Sequence, residues 1–383
     1  MQFTDDTPRF HSDSQRWSFQ NNAICGICLG QWAALLWHFW RHIEWRAYWQ
    51  RVVFVSALAV FNSLLALVEH ALYGRAIARQ RIHPRPLFVL GHPRTGTTLL
   101  HSLLALDDEF GTCSTFCAGF PSSFLWFERF KWLLSGMIGD KRPMDNMELS
   151  FDTVQEDEIA TSVLSAGTSP YMPLVFMTAE PSFRPYFSFE HAPDAARRRW
   201  TDAFLYLLRK LTLRARGRPL LLKSPVHTAR VALLLRLFPE ARFVYIHRDP
   251  AAVYRSACHM AATTYPHMHL ATPTDAQVHE FILHQFELLW REYAAARELV
   301  PRGSLAELSY AELTADPAAA VGRVYRDLGL QGYEERVRLR VAARAATLVG
   351  YQTNCFEPLP AGVREVVARR WAAYTKAWGY EWK

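Results

Sequence analysis

The chain has 383 residues, of which 50% are hydrophobic and 21% charged, and this composition excludes intrinsic disorder and a coiled-coil rod. The length suits one large α/β domain with an extension, or two ordinary domains. With 43 basic and 36 acidic residues the net charge is +7, which favours an anionic partner without choosing among a small molecule, a nucleic acid and a membrane surface.

Residues 1–81 are predicted to form an aromatic-rich helical extension. Residues 1–20 are polar and carry acids where a secretory signal has basic residues, so we expect a cytoplasmic location. Two apolar stretches follow, Ala23–Trp40 and Val52–Val68, and the second is close to the shortest length that spans a bilayer. Residues 23–70 therefore have two interpretations. They form a marginal transmembrane or interfacial helix that associates the protein with a membrane surface, or a helical hairpin that packs on the main domain.

The cysteines do not indicate a disulfide scaffold, since six in a chain of this length are too few. Cys25 and Cys28 form a CxxC pair, but no second Cys or His pair with suitable spacing completes a zinc site. We therefore expect ordinary reduced thiols and no metal.

Residues 82–383 are predicted to form a single α/β domain. Three short apolar runs are predicted as buried parallel strands, namely Leu87–Gly91, Leu220–Lys223 and Arg242–His247. Helices are predicted at Thr97–Leu106, Ala229–Phe238, 251–260, 275–300 and 363–378. This alternation of strands and helices implies right-handed crossovers and a parallel sheet covered by helices on both faces.

The segment Gly91–Thr98 (GHPRTGTT) lies between the first strand and the first helix of this domain. At such a place the backbone amides and the positive end of the helix can hold a phosphate. A nucleoside triphosphatase has lysine directly after the second glycine, but here Thr97 takes that position and Arg94 supplies the cation earlier in the loop. The loop therefore predicts an anion site and argues against ATP or GTP hydrolysis.

A second basic cluster follows the third strand. Arg248 comes directly after that strand, and Ser256 lies eight residues later in a predicted helix. An arginine at the carboxyl end of a parallel strand faces the crevice where open α/β sheets bind ligands, and its guanidinium binds paired phosphate oxygens. Taken alone, Arg248 has a structural alternative, which is an ion pair with Asp249 or another acid.

Together, the PRTGTT loop and the R-x7-S spacing resemble the nucleotide-binding signatures of the sulfotransferases, which transfer a sulfuryl group from 3′-phosphoadenosine 5′-phosphosulfate (PAPS). Further segments that resemble the bacterial-type branch of this family are Leu222–His227 (LKSPVH), Leu237–Phe243 (LFPEARF) and Glu307–Leu313 (ELSYAEL) with Asp316-Pro317. The resemblance covers about residues 86–380 in matching order and implies the P-loop-like α/β sulfotransferase fold. The late R-K-G-x-x-G element of the cytosolic branch is absent.

The resemblance also implies a role for each matched residue. The 5′-phosphosulfate would be held by the loop, and the 3′-phosphate of PAPS, or of its product 3′-phosphoadenosine 5′-phosphate (PAP), by the second cluster. The residues implied in binding this co-substrate are Arg94, Thr95, Gly96, Thr97, Thr98, Arg248 and Ser256. Arg94 and Lys223 would offset the negative charge that grows during transfer, and no metal is implied.

The base that accepts the proton of the acceptor is left open between two candidates. His227 has an ordinary pKa suited to proton transfer near neutrality, although the cytosolic sulfotransferases place their histidine at a shorter spacing from the strand lysine. The rival is the cluster Gln155–Glu158, in which Glu156 or Asp157 would be the base, because grouped carboxylates raise one another's pKa. The same stretch also fits an ordinary helix start, with Thr153–Glu156 as a capping box.

The acceptor pocket is expected within residues 107–215, where aromatic side chains would suit a hydrophobic, lipid-like or aromatic alcohol. The side chains expected in its walls are Trp126, Phe127, Phe130, Trp132, Tyr171, Phe176, Phe183, Tyr186 and Phe187. The predicted function is metal-independent, in-line transfer of a sulfuryl group from PAPS to a hydroxyl of a small-molecule, lipid or carbohydrate acceptor, with no nucleic-acid partner. A P-loop-type kinase and a non-catalytic nucleotide-binding protein are the alternatives.

Overall fold

The computed structural model describes residues 8–139, 141–142, 144–145, 147–347 and 356–382. Within these ranges five parallel strands form one sheet in the order β2-β3-β1-β4-β5. The strands are β1 (Leu87–Leu90), β2 (Gly111–Thr112), β3 (Leu220–Lys223), β4 (Arg242–His247) and β5 (Leu305–Ser309). The predicted α/β fold with a parallel sheet is therefore confirmed, and the three predicted strands are its centre.

Helices cover both faces of the sheet, as the alternating pattern predicts. The α-helices before β3 are α1 (Leu29–Phe39), α2 (Trp45–Arg79), α3 (Thr97–Leu104), α4 (Thr115–Gly119), α5 (Phe124–Phe127), α6 (Asp157–Leu164) and α7 (Asp194–Arg214). Those after β3 are α8 (Val231–Leu237), α9 (Pro250–Thr264), α10 (Asp275–Ala296), α11 (Tyr310–Ala315), α12 (Pro317–Asp327), α13 (Arg338–Thr347), α14 (Ala361–Arg370) and α15 (Ala372–Trp378).

The residues of β1 alternate between two cores, because successive side chains of a strand point to opposite faces. Phe88 and Leu90 are fully buried with residues of α7 and α8. Leu87 and Val89 pack on the opposite face with residues of α3, α12 and α13. Burial on both faces explains why the run is apolar throughout.

The N-terminal helices α1 and α2 pack against each other and against α9 and α10 in a third core. Of the described helices, α2 has the length and composition to cross a membrane, with a mean hydropathy of 2.1 in its most apolar window, of which 33% is buried in the protein. The predicted apolar run Val52–Val68 lies in the middle of this 35-residue helix. Cys25 and Cys28 are free thiols, as expected.

The helix predicted at Ala229–Phe238 begins two residues later in the structure. Residues Pro225–Arg230 form a 3₁₀ helix, and α8 begins only at Val231. The side chains of Thr228 and Arg230 are fully buried and bonded to other parts of the protein, so the chain turns inward before the helix begins.

Candidate active site

The loop between β1 and α3 has the backbone shape of an anion cradle. Gly91 and Gly96 have φ values of +144° and +98°, and a Cβ on Gly96 would lie 2.4 Å from the Tyr310 ring, so both positions require glycine. Arg94 also adopts a positive φ of 73°. No side chain caps the first turn of α3, which leaves the positive end of that helix directed at the loop.

Arg248 lies against this loop. Its guanidinium stacks on Tyr310 at 4.1 Å and donates a hydrogen bond of 3.1 Å to the backbone oxygen of Arg94. In the part of the chain that the structure describes, no carboxylate lies within ion-pair distance of Arg248, and Asp249 instead caps α9 through the amide of Ala252. Burial lowers the pKa of Arg248, and the nearby Arg94 acts in the same direction. The negative charge of an anion bound here would offset both effects by favouring the charged guanidinium.

The two predicted halves of the nucleotide site meet at Arg94. Its Nε donates to the buried Ser256 hydroxyl at 3.0 Å, and its terminal nitrogen lies 3.1 Å from the carboxylate of Asp145. The guanidinium of Arg142 is 3.5 Å from the same carboxylate. Arg142 and Asp145 carry no recognisable motif, so sequence reasoning missed them. The side chain of Thr95 is buried, and its hydroxyl donates a hydrogen bond to the backbone oxygen of His92 within the loop.

A separate group of polar side chains meets where β3 ends. Lys223, with a side chain 1% exposed, donates to Glu156 at 2.8 Å and contacts the hydroxyl of Thr98 at 3.4 Å. Tyr171 donates to the other carboxylate oxygen of Glu156. The structure thus brings Lys223, Thr98 and Glu156 together and adds Tyr171 as a second donor to the carboxylate.

The surroundings of Glu156 lower the pKa of its carboxyl group. Burial would raise the pKa of Glu156, but the charge and hydrogen bond of Lys223 and the hydrogen bond of Tyr171 outweigh burial and lower it. The pKa of Tyr171 is raised well above its ordinary value by burial and by the adjacent carboxylate. Glu156 is therefore ionised at neutral pH and able to accept a proton.

Asp157 and His227 lie apart from this cluster and pair with each other. Their side chains are fully buried, with 2.6 Å between His227 Nε2 and an Asp157 oxygen, and Ser224 donates to the second Asp157 oxygen at 3.3 Å. Burial would raise the pKa of Asp157, but His227 outweighs burial and lowers it. Neither residue lines the cavity described below. Their arrangement is that of a buried pair between the start of α6 and the segment after β3.

The predicted capping box at 153–156 does not form. Glu156 itself is the N-cap residue of α6, and its side chain turns to Lys223 instead of capping the helix. Glu158, in the first turn, makes a fully buried, two-point ion pair with Arg230, and Trp200 donates to the same carboxylate. The three successive acids therefore each bind a different group: Glu156 binds Lys223 at the end of β3, and Asp157 and Glu158 bind His227 and Arg230 in the segment that follows.

A cavity of about 280 Å³ opens onto Glu156 and the loop. Polar groups converge on the loop end of the cavity from Arg94, Thr97, Thr98, Glu156 and Tyr171. The wall also contains Asn21, Asn22, Thr115, Arg142, Gln155, Thr264 and Gln285, and most of the remainder is apolar. The larger apolar side chains that line it are Phe19, Phe120, Ile138, Leu149, Phe151, Ile159, Leu174, Met260, Tyr265, Met268 and Phe281. An apolar cavity with a few convergent polar groups is the usual form of a small-molecule site.

The prediction of the aromatic wall is mostly wrong, since of the nine predicted side chains only Tyr171 lines the cavity. Phe127, Phe176, Phe183 and Phe187 are buried in the core, and Trp132 is 69% exposed. Residues 115–174 do supply much of the wall, but the loop at 93–98, α9 and the residues that follow it, α10 and the N-terminal residues 19–25 also contribute. Nothing in the local sequence indicated that the N-terminal extension reaches the cavity.

Comparisons with known proteins support the resemblance that the sequence motifs indicate. Residues 86–335 match the sequence profile described as the sulfotransferase family. The chain is 31% identical over 366 residues to the omega-hydroxy-beta-dihydromenaquinone-9 sulfotransferase Stf3 of Mycobacterium bovis and to that of Mycobacterium tuberculosis, and the match covers 92% of this chain and 92% of each relative.

Two solved structures share the fold. Sulfotransferase STF1 from Mycobacterium tuberculosis H37Rv superposes with a TM-score of 0.64 at 20% identity, covering 90% of this chain and 92% of that one. Sulfotransferase STF9 from Mycobacterium avium superposes with a TM-score of 0.63 at 16% identity, covering 93% and 97%. These matches extend over most of the described α/β architecture and include much of the N-terminal extension.

Proposed function

This chain belongs to the sulfotransferase family, and we propose that it transfers a sulfuryl group from PAPS to the hydroxyl group of a hydrophobic, lipid-like acceptor. The observation that carries the proposal is the cavity itself. Its wall joins the loop cation Arg94 and the ionised Glu156 to a large apolar surface. A charged donor and an apolar acceptor could therefore meet beside a carboxylate.

The residues present fit the donor. The glycines at 91 and 96 keep the loop open to a phosphate, and Thr97 and Thr98 begin the helix whose positive end faces it. Arg248, which has no carboxylate partner among the described residues, and Ser256 would bind the 3′-phosphate. Their direct contacts with Arg94 support one continuous site for a nucleotide that carries phosphate at both ends.

PAPS, when bound, supplies the activated sulfuryl group. We assign Glu156 as the base: its carboxylate accepts the proton of the acceptor hydroxyl while the new bond from that oxygen to sulfur forms. The bond from sulfur to the phosphate oxygen breaks, and PAP leaves with that oxygen and its electron pair. Lys223 and Arg94 offset the negative charge on the transferring group and the leaving oxygen. Tyr171 holds Glu156 in place through its hydrogen bond.

The apolar wall supports a lipid-like acceptor over a sugar. A sugar would place many of its hydroxyl groups against phenylalanine, methionine and isoleucine side chains, where they lack hydrogen-bond partners, and this is costly. The relatives named above act on a menaquinone derivative that carries an omega-hydroxyl group. We therefore place a hydroxylated isoprenoid quinone first among acceptors. A soluble, anionic donor and a lipid acceptor also favour a cytoplasmic location at a membrane.

The test is transfer from radiolabelled PAPS with purified full-length protein and a panel of acceptors. The panel contains a hydroxylated isoprenoid quinone, the same quinone without the hydroxyl group, a simple phenol and a monosaccharide. We expect the label on the hydroxylated quinone and none on its deoxy control. Equal labelling of the phenol or the sugar would contradict the acceptor assignment, and no labelling of any acceptor together with no PAPS binding would contradict the function.

A further inference from the structure

Helix α2 buries polar side chains among the apolar ones of its inner face and exposes apolar side chains on its outer face. Arg51, Asn62 and Glu69 are spaced by eleven and seven residues, close to three and two helical turns, so they lie on one face. All three are buried against the protein. The opposite face is exposed and apolar, although a surface helix normally has the reverse arrangement.

The inner face is fixed by hydrogen bonds and an ion pair. Arg51 donates to the backbone oxygens of Gln15 at 2.6 Å and of Pro266 at 3.1 Å. Glu69 forms a buried ion pair with Lys210 of α7. Breaking such a pair leaves uncompensated charge and is strongly unfavourable. The helix therefore stays on the protein, and an orientation that crosses a bilayer would require it to leave these partners.

The outer face has no polar group along its middle. Between Arg51 and Glu69 the chain has no charged residue, and the polar side chains in that stretch do not belong to the exposed set. The exposed large apolar side chains of α2 are Trp45, Trp49, Val53, Val60, Phe61, Leu64, Leu67, Val68 and Leu72, between 40% and 67% exposed. A continuous apolar surface of this kind on a folded protein marks an interaction site.

Arginines lie on the same face at both ends of this stripe. Arg46 precedes Leu64 by eighteen residues, five helical turns, and Arg75 follows Leu64 by eleven, about three turns. Arg79 lies one turn beyond Arg75, and all three arginines are exposed. Tryptophan and arginine at the margins of an apolar helical face are typical of helices that lie in the headgroup region of a bilayer.

These charges also argue against a second copy of the chain as the occupant. In a two-fold interface formed by the stripe, the helices run either antiparallel or parallel. An antiparallel pair places Arg46 beside Arg75 and Arg79 of the other copy, and a parallel pair places each arginine beside its equivalent. Both arrangements bring like charges together, whereas anionic lipid headgroups neutralise both ends.

We propose that the outer face of α2 lies in the plane of an anionic lipid bilayer and docks the enzyme there without crossing it. The docked helix is bonded directly to the N-terminal wall of the cavity: Asn62 donates to the backbone oxygen of Cys25 at 2.7 Å, and Phe54 contacts Phe19 with 4.6 Å between ring centres. Phe19 and Cys25 line the cavity. Docking therefore holds the acceptor side of the cavity next to the lipid, a consequence that rests on the proposed function.

Flotation of the full-length protein with vesicles tests the docking without donor or acceptor. Phosphatidylcholine vesicles with about 30% phosphatidylglycerol are compared with pure phosphatidylcholine. The test variant is Leu64→Glu/Leu67→Glu, and the matched control is Leu299→Glu/Leu339→Glu, which changes two leucines elsewhere that are at least as exposed. All four positions are at the surface, so thermal melts should be unchanged.

We expect wild type and control to float with the anionic vesicles and the α2 variant to bind at least about tenfold more weakly. An alkaline carbonate wash should release the wild-type protein. Failure of the wild type to float, or equal flotation of the α2 variant, would overturn the proposal. Retention after the carbonate wash would indicate a crossing helix instead. A wild-type dimer that becomes a monomer in the α2 variant, without vesicle binding, would assign the face to a second copy.

Discussion

The substitution Glu156→Gln tests the assignment of the base. Glutamine keeps the shape of the side chain and can still accept from Lys223, 2.8 Å away in the wild type, but it cannot take up a proton. Because general-base catalysis contributes about 10²–10⁴-fold, we expect kcat to fall by that factor, which is ~3–5 kcal/mol of barrier. Binding of PAP, which does not depend on the base, should change by less than about threefold.

The assay is single-turnover transfer from saturating PAPS, with PAP binding and thermal melting measured on the same samples to show that the variant is folded. Glu240→Gln, which removes an exposed carboxylate paired with Arg85, is the matched control and should retain wild-type activity. A folded Glu156→Gln enzyme with more than about a third of the wild-type kcat would refute the assignment.

The pH profile gives an independent check on Glu156. Since Lys223 and Tyr171 lower the pKa of Glu156 below its ordinary 4.5, the carboxylate is ionised throughout the neutral range. We expect kcat/KM to stay flat on its acid side from about pH 8 down to about pH 5.5. A loss of kcat/KM already between about pH 8 and about pH 5.5 would contradict Glu156 as the base.

Three further predictions concern the proposed nucleotide site and the buried pair of Asp157 and His227. Arg248→Ala should weaken PAP binding by about 1.5–3 kcal/mol in calorimetry, because it removes hydrogen bonds to a charged group, while the exposed Arg236→Ala should have no effect. Asp145→Asn should strengthen PAP binding by about three- to tenfold, since it removes a carboxylate that competes for the cation of Arg94; weaker binding would show that Asp145 helps to hold the nucleotide. Asp157→Asn should lower the free energy of unfolding by about 3 kcal/mol near neutral pH, because it breaks a buried pair with His227. The pKa of Asp157 is lowered in the folded protein, so this contribution is present above its ordinary value of 3.8 and is lost as the pH falls below it; urea titrations at several pH values should find the gap closing in acid.

Much of the fold follows from the sequence because its central strands are buried on both faces. β1, β3 and β4 are short runs of apolar residues bounded by glycine, proline or charge, and their positions agree with the prediction. β2 has only two residues and no pattern to detect. The apolar run at 52–68 was recognised, but its helix continues to Arg79 because helix ends depend on tertiary contacts as well as hydropathy.

The site is only partly encoded in local motifs. Arg94, Lys223 and Arg248 lie at or after the ends of strands, so their positions predicted that they would lie near one edge of the sheet. In the structure Arg94 contacts both Arg248 and Ser256, which lies two turns into α9. Asp145 lies 51 residues from its partner Arg94, and no spacing rule connects the two. Contacts of this kind depend on the packing of loops and cannot be read from one sequence.

The choice of base shows the same limit. From the sequence, Glu156, Asp157 and His227 all had residue types suited to the role. In the structure the two adjacent acids point to different partners, Glu156 to Lys223 at the cavity and Asp157 to the buried His227. We propose Glu156 over the other two because of the direction of its side chain at the start of α6, and that direction has no sequence signature.

Calorimetric titration of the full-length protein with PAP, PAPS and ATP, each with and without magnesium, tests the central claim most directly. The contacts of Arg94, Ser256 and Arg248 predict micromolar binding of PAP and PAPS that does not depend on magnesium, and much weaker binding of ATP, which lacks a 3′-phosphate. Tight, magnesium-dependent binding of ATP together with no binding of PAP would contradict the account.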